Sequence, residues 1–331
     1  MELVTIEATQ TGTVPTLADV LAARNRIRPY LPRTPLYSYP ALNELTGLDL
    51  WVKHENHQPI GAFKVRGGIN LVSQLSEAER RYGVITASTG NHGQSIAYAA
   101  RIFGVRAIVC VPEDANPVKT DSIRALGAEV VHIGRDFDDA RTYAEEEVDR
   151  HGYRYVHSGN EPLLIAGVAT ETLEILEDQP DVEVLIVPVG GGSGASGACL
   201  VADACQPELR VIGVQSAAAP AAYRSWKEGR LVEDHMATIA EGLATRTAFE
   251  LPQSILRERL TDFLLVSDAE ISQAQLVMID KTRNLVEAAG AAALAAAIKM
   301  KDQLQGARVG IICSGGNVSL DQLRSLLAAH R

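Results

Sequence analysis

Four short stretches of this chain carry residue types that could do chemistry together. The first is Ile60-Gly61-Ala62-Phe63-Lys64-Val65-Arg66-Gly67-Gly68. A lysine in a Gly- and Phe-containing turn before an apolar run is a candidate for a desolvated amine, whose lowered pKa makes it a base or a Schiff-base nucleophile. The plainer reading is a surface lysine. The second stretch is Val189-Gly190-Gly191-Gly192-Ser193-Gly194, between an apolar strand and a helix. Glycines let backbone amides converge, and a helix N-terminus adds partial positive charge, so such a turn holds phosphate. Gly192, Gly194 and Gly197 formally match a dinucleotide fingerprint, but the following strand ends in Gln215 where that reading wants an acid. A monophosphate-bearing cofactor and a purely structural glycine turn are the other two readings.

The third stretch, Ser88-Thr89-Gly90-Asn91-His92-Gly93-Gln94, is a strand-to-helix turn rich in hydroxyl, amide and imidazole groups. It can bind a carboxylate through backbone N–H and hydroxyl groups while Asn91 donates to an oxyanion, or it can be an ordinary helix cap. The fourth, Cys313-Ser314-Gly315-Gly316-Asn317, follows the last apolar strand, the strand end where α/β sheets present ligand-binding groups.

Composition fits small-molecule chemistry. The chain has 331 residues, 46% of them hydrophobic, and a net charge of -10, which gives no electrostatic footprint for nucleic acid or anionic membrane. Met1 to Glu7 show no basic-then-apolar leader, and no apolar run is long enough for a bilayer, so the expectation is a cytoplasmic protein. Cys110, Cys199, Cys205 and Cys313 lack Cys-x-x-Cys spacing and read as buried free thiols, without disulfide or zinc.

The elements that must position these groups follow an α/β pattern. Thr16 reads as the cap of a helix to about Ile27, after which a loop with Pro32 and Pro35 leads to Lys64 and a helix to about Leu75. Strands are predicted over 84–87, 107–111, 129–133 and 153–157, with helices over 93–103, 117–126 and 138–150 ending near Gly104, Gly127 and Gly152. Next come a helix over 166–176, a buried strand over 184–189, the glycine turn with its helix, and a strand over 211–214. Residues 217–251 read as a connecting region. A strand over 263–266, a helix opened by the Ser267/Glu270 capping box, an alanine-rich helix over 290–299, a strand over 308–313 and a helix from about Ser319 complete the chain.

Together, a lysine, a phosphate cup, an Asn/Ser/Thr loop and a strand-end serine are what pyridoxal phosphate needs. The sequence resembles the fold-type II pyridoxal-phosphate enzymes, in the branch of serine/threonine dehydratases and serine racemases. Nearly the whole chain carries the resemblance, including Pro112-x-x-x-x-Pro117-x-x-Lys119 and Gly127-Ala128-Glu129-Val130. Lys64-Val65-Arg66-Gly67 looks like the dehydratase/racemase form of the lysine motif, not the Lys-Asp-Arg form of the cysteine and threonine synthase-like members.

The resemblance implies an α/β, two-domain, tryptophan synthase β-like fold. Residues 1–82 and 159–331 would form the large cofactor-binding domain and 83–158 the small one, each a mostly parallel sheet flanked by helices. It implies that Lys64 and Thr89 are catalytic. Phe63, Lys64, Asn91, Gly190, Gly191, Gly192, Ser193, Gly194, Glu287 and Ser314 would bind the cofactor, though Glu287 also reads as a plain helix-end carboxylate. Ser88, Thr89, Gly90, Asn91 and His92 would hold the substrate carboxylate.

The implied reaction is α,β-elimination from L-threonine, L-serine or a related β-hydroxy amino acid, giving a 2-oxo acid and ammonia. A serine-type racemase with side dehydratase activity is the alternative. A NAD-binding oxidoreductase rests on the glycine match alone. A homodimer is implied, with no nucleic-acid or membrane partner.

Several positions depart from the family pattern. Ile60 and Ala62 replace Thr and Ser. His157-Ser158-Gly159-Asn160-Glu161 replaces a segment bearing an aromatic ring near the site, which would widen the pocket toward phenylserine or leave room for 3-hydroxyaspartate. Thr89 stands where racemases carry a serine. The carboxylates of the racemase cation site map to Gln215 and Ala221, so no metal is expected. No regulatory module is expected after Arg331.

Overall fold

The computed structural model describes residues 13–329 other than residue 116; the leader and end-of-chain readings at Met1 to Glu7 and at Arg331 lie outside the described residues. Two sheets organise the chain, consistent with the two-domain α/β architecture. The larger contains β1 (Leu36–Ser38), β2 (Asp49–His54), β7 (Val184–Pro188), β8 (Arg210–Ser216), β9 (Asp262–Val266) and β10 (Arg308–Cys313). Its order is β1-β2-β10-β7-β8-β9, parallel except where β1 meets β2. The smaller contains β3 (Val84–Ala87), β4 (Ala107–Val111), β5 (Glu129–His132) and β6 (Arg154–Tyr155), all parallel in the order β5-β4-β3-β6.

Every residue of β3, β4 and β7 is buried. Continuous apolar runs of this kind suit parallel strands that helices cover on both faces. Because the strands are parallel, the carboxyl ends of β2, β7 and β10 share one edge of the large sheet. The turns that follow them carry Lys64, the glycine loop and Ser314. The turn after β3 carries Ser88 to Asn91. This edge is where parallel α/β sheets collect their ligand-binding groups.

Most sequence expectations hold to within a residue or two, and the differences have local causes. The stretch expected to be loop before Lys64 holds β1, a helix at Pro40–Thr46 and β2. Lys53 and His54 in β2 are fully buried, and their polarity masks a strand in the sequence. The helix expected to run to Leu75 spans Lys64–Val72, and a separate helix, Glu77–Tyr82, starts from a Ser76/Glu79 capping box.

The expected helix over 166–176 is two helices, Pro162–Val168 and Thr170–Asp178, meeting at Ala169. The first of them packs against the Lys64 helix glycine to glycine: a β-carbon on Gly167 would stand 2.7 Å from the Gly67 α-carbon. Within residues 217–251 lies a helix, Ala221–Glu228, whose polar exposed face hides it in the sequence. Cys205, expected to be buried, is exposed at the end of the helix Ser193–Cys205; Cys110, Cys199 and Cys313 are buried free thiols. No described helix is long and apolar enough to cross a membrane.

The alanine-rich helix, Ala288–Lys299, is buried from Ala289 to Ala297 and packs on the large sheet beside Ile186, Val214 and Val309. Its small side chains allow that approach. At Gly290 even a methyl group would collide with the Gly315 carbonyl oxygen, so this helix also fixes the turn that bears Ser314.

Candidate active site

The Lys64 side chain leaves the first turn of the helix Lys64–Val72. Its Nζ donates to Ser193 Oγ at 2.9 Å and to the Ser158 carbonyl oxygen at 3.4 Å. Ser193 is the first residue of the helix Ser193–Cys205, directly after the glycine loop, so the amine sits at the mouth of that loop. Burial pushes the Lys64 pKa down to about 8, against the opposing pull of the Glu171 carboxylate. The Phe63 ring lies 5.1 Å from the amine and also lines Gly194.

Residues 62–63 run alongside residues 314–315. The Phe63 N–H donates to the Ser314 carbonyl at 3.1 Å, and Ala62 bridges Gly315. Ser314 is buried, and among the described residues its hydroxyl has no protein partner.

The glycine loop is tightly constrained. Gly192 has φ +94°, a left-handed backbone that glycine adopts without strain. A β-carbon at Gly191 would stand 2.5 Å from the Phe249 ring, and one at Gly190 would collide with the Gly242 carbonyl oxygen. Packing therefore demands glycine here as well. No side chain caps the helix that follows, which leaves its first-turn amides open to an anion.

The helix Asn91–Phe103, after β3, likewise starts without a side-chain cap. Ser95 on it donates to the Lys64 carbonyl at 2.7 Å and so ties the two helices together. Asn91 Nδ2 donates to Glu287 Oε1 at 2.7 Å, and Asn91 Oδ1 accepts from Asn317 Nδ2 at 2.7 Å. Burial pushes the Glu287 pKa up, while Asn91 and Lys119 oppose the shift. Glu287 is also the N-cap residue of the helix Ala288–Lys299, and its carboxylate is tied to the loop after β3 through Asn91.

In the loop after β3, Ser88 Oγ accepts the Gly90 N–H at 3.2 Å, and the Thr89 hydroxyl has no partner among the described residues. The His92 ring turns inward, meeting Thr86 Oγ1 at 3.0 Å and the Val156 carbonyl at 3.3 Å. Burial, with Lys64 nearby, drives its pKa down to about 3, which keeps it neutral. The imidazole is therefore engaged with β3 and the chain just after β6. Gln215, at a position considered for a cation, accepts the Tyr223 N–H at 3.0 Å and donates to the Leu243 carbonyl at 3.4 Å.

Sequence reasoning missed Glu171 and Phe249 and quoted Lys119 only within a motif of the resemblance, without a role. Glu171 is buried, with Oε2 lacking a partner, and burial raises its pKa well above the usual carboxylate range. Lys119 reaches across from the small-sheet side to pair with Glu241. Phe249, from the region read as a connector, lies against Gly159 and Gly191. Neither Glu171 nor Phe249 has a local motif, and only the glycines at 159 and 190–192 hint at a bulky neighbour.

The depressed Lys64 pKa has a testable consequence for the cofactor-free protein. Its folded value, about 8, lies below the ordinary lysine value of 10.5. Between those pH values the unfolded chain binds more protons, so stability rises with pH across the window. The difference in urea stability between wild type and Lys64→Met should shift in favour of the wild type from pH 7.5 to pH 10; a difference independent of pH would contradict the desolvated amine.

A family model described as pyridoxal-phosphate dependent enzyme matches residues 27–315. The chain is 37% identical over 313 residues to an L-threonine ammonia-lyase of Thermotoga maritima, covering 94% of this chain and 78% of that one. It is 36% identical over 316 residues to an L-threo-3-hydroxyaspartate ammonia-lyase of Saccharomyces cerevisiae, covering 95% and 97%. The crystal structure of serine racemase from Dictyostelium discoideum superposes with a TM-score of 0.87 at 36% identity, over 92% of this chain and 99% of that one.

The cofactor common to that family fits the residues present: an uncapped helix N-terminus for its phosphate, an amine beside it, and a buried, unpartnered hydroxyl at Ser314. The chain belongs to the fold-type II pyridoxal-phosphate-dependent enzymes, in their serine/threonine dehydratase and serine racemase branch, with pyridoxal phosphate as its cofactor.

Proposed function

We propose that this protein is an ammonia-lyase that converts a small β-hydroxy amino acid, L-threonine, L-serine or L-threo-3-hydroxyaspartate, to a 2-oxo acid and ammonia. The observation that carries the reading is the Lys64 amine, desolvated and held by Ser193 at the mouth of the glycine loop. The names of two relatives, ammonia-lyases for threonine and for threo-3-hydroxyaspartate, support it.

Pyridoxal phosphate, when bound, supplies an electron sink for the bond broken at the substrate α-carbon. The loop Gly190 to Gly194, with Ser193, would hold its phosphate, while Asn91, Phe63, Glu287 and Ser314 would surround its ring. Ser314 offers a neutral hydroxyl, which does not strengthen the sink as a carboxylate in its place would and so favours prompt loss of the β-hydroxyl over a long-lived carbanion.

Lys64 takes the α-proton; with a pKa near 8 a substantial fraction of the amine is neutral and able to do so. The β-hydroxyl leaves as water, and the proton it takes up is balanced overall by the one Lys64 removes from the α-carbon. The released enamine hydrolyses to the 2-oxo acid and ammonia. Ser88, Thr89, Gly90 and the backbone amides of Asn91 and His92 would orient the substrate carboxylate, fixing which bond faces Lys64.

One observation favours the racemase alternative. The Thr89 hydroxyl has no partner among the described residues and could return a proton to the α-carbon. Its β-branch restricts the rotamers through which it could act. The same reading includes a cytoplasmic homodimer, on the strength of the resemblance, and a division into 1–82 with 159–331 and 83–158, for which the two sheets are the support.

The test is a panel of L-threonine, L-serine, D-serine, threo-phenylserine and L-threo-3-hydroxyaspartate, with 2-oxo acid and enantiomer followed in the same samples. Oxo-acid release from a small L-β-hydroxy member, in step with ammonia, is expected. Inversion without oxo acid would replace the lyase reading by the racemase one.

A further inference from the structure

The Phe249 ring occupies a slot made by two glycines distant in sequence. A β-carbon at Gly191 would stand 2.5 Å from the ring, and one at Gly159 would collide with it. The His157 imidazole packs edge-on against it, with centroids 4.7 Å apart and planes at 86°. Its own position is fixed. Phe249 is the cap residue of the helix Glu250–Arg259, and Asn160 Oδ1 accepts the Leu251 N–H of that helix at 3.1 Å.

Gly159 does not have a left-handed backbone, so its conformation does not require glycine; the ring does. The two glycines of the slot also bracket the groups that hold the catalytic amine. The Ser158 carbonyl, next to Gly159, and the Ser193 hydroxyl, two residues beyond Gly191, are both hydrogen-bond partners of Lys64 Nζ. The half-buried ring therefore borders the space where that amine meets a substrate.

We propose that Phe249, seated between Gly159 and Gly191, is the residue that limits the size of the substrate side chain. This inference rests on the ammonia-lyase reading and states how that site selects its substrate. A phenyl ring offers no donor or strong acceptor to a hydroxyl or carboxylate, so its effect on selection is volume. A methyl, hydrogen or carboxylate on the β-carbon fits beside it, and an aryl group does not. The pocket that a glycine at 159 would open toward phenylserine is thereby closed from the other side.

The test compares holoenzymes of the wild type, Phe249→Ala, Phe249→Leu, Gly159→Phe, and the exchange variant carrying both Gly159→Phe and Phe249→Gly. Each is assayed for kcat/KM on L-threonine, L-threo-3-hydroxyaspartate and threo-phenylserine, with the visible absorbance of the cofactor as a measure of loading. In Phe249→Ala the ratio of threo-phenylserine to the best small substrate should rise by about 10-fold or more, the scale on which pocket volume discriminates. In Phe249→Leu it should rise less.

Gly159→Phe alone should lose cofactor loading through the clash. The exchange variant should regain loading and bring the ratio back toward wild type. A fully loaded Phe249→Ala enzyme with an unchanged ratio would overturn the inference, as would an exchange variant that stays as permissive as Phe249→Ala. A wild type that releases no oxo acid from any substrate would instead overturn the lyase reading, and this inference with it.

Discussion

Lys64→Ala is expected to reduce turnover by at least about 10³-fold and to remove the visible absorption of the protein-bound cofactor, with the fold intact. The two losses share a cause. The amine is the only lysine nitrogen among the described residues hydrogen-bonded to the helix start that follows the glycine loop. Burial also brings its pKa down to about 8.

Alanine leaves the loop, Ser314 and the Asn91–Glu287 pair in place, so phosphate affinity should persist in part. Absorbance and turnover measured together discriminate. A variant that keeps full activity would remove Lys64 from the chemistry. One that loses activity while keeping the bound-cofactor band would leave it as a proton carrier only.

Arg66→Met is expected to produce the largest loss of stability of any single substitution near the site, about 3–5 kcal/mol, the scale for breaking a buried ion pair by removing one partner. Arg66 lies two residues beyond Lys64 on the same helix and is fully buried. Its guanidinium donates to both Glu55 oxygens at 2.7 and 2.8 Å, to both Glu174 oxygens at 2.8 Å, and to Thr170 and Thr34 at 3.2 and 3.3 Å.

Burial alone would lower its pKa; Glu55 and Glu174 reverse that and raise it. Lys53, also fully buried, donates to Glu174 at 2.6 Å and to the Thr34 carbonyl at 2.8 Å. Methionine would fill much of the volume but leave Glu55 with no cationic partner in the interior and Glu174 with only Lys53. Arg66→Lys should not rescue it, because an ammonium cannot make the two-sided fork to Glu55 and Glu174. Denaturant unfolding of the three proteins checks this; a loss below 1 kcal/mol in Arg66→Met would show that the cluster does not hold the Lys64 helix.

What was legible in the sequence was what local pattern encodes. The runs at 84–87, 107–111 and 184–188 are apolar because helices cover both faces of parallel strands, and the capping residues Thr16, Ser267 and Ser319 marked three helix starts. The glycine loop, the Asn91 loop and Ser314 were legible because each follows an apolar strand, and Lys64 because it lies in a Gly- and Phe-containing turn before an apolar run.

What was hidden depends on partners far along the chain. β2, in a stretch expected to be loop, carries a buried lysine and histidine whose partners are Glu174 and Tyr39. The Asn91–Glu287 contact spans 196 residues, and Phe249 gains meaning only against Gly159 and Gly191. His92 shows the converse. Its place in the loop suggests a ligand-facing imidazole, but the Thr86 hydroxyl and the Val156 carbonyl draw the ring inward.

The most direct measurement reduces the cofactor-loaded protein with borohydride, digests it, and maps by mass the peptide that retains the pyridoxyl phosphate group. The account predicts a single modified residue, Lys64. Modification at Lys53, at Lys119 or at no fixed position would contradict it.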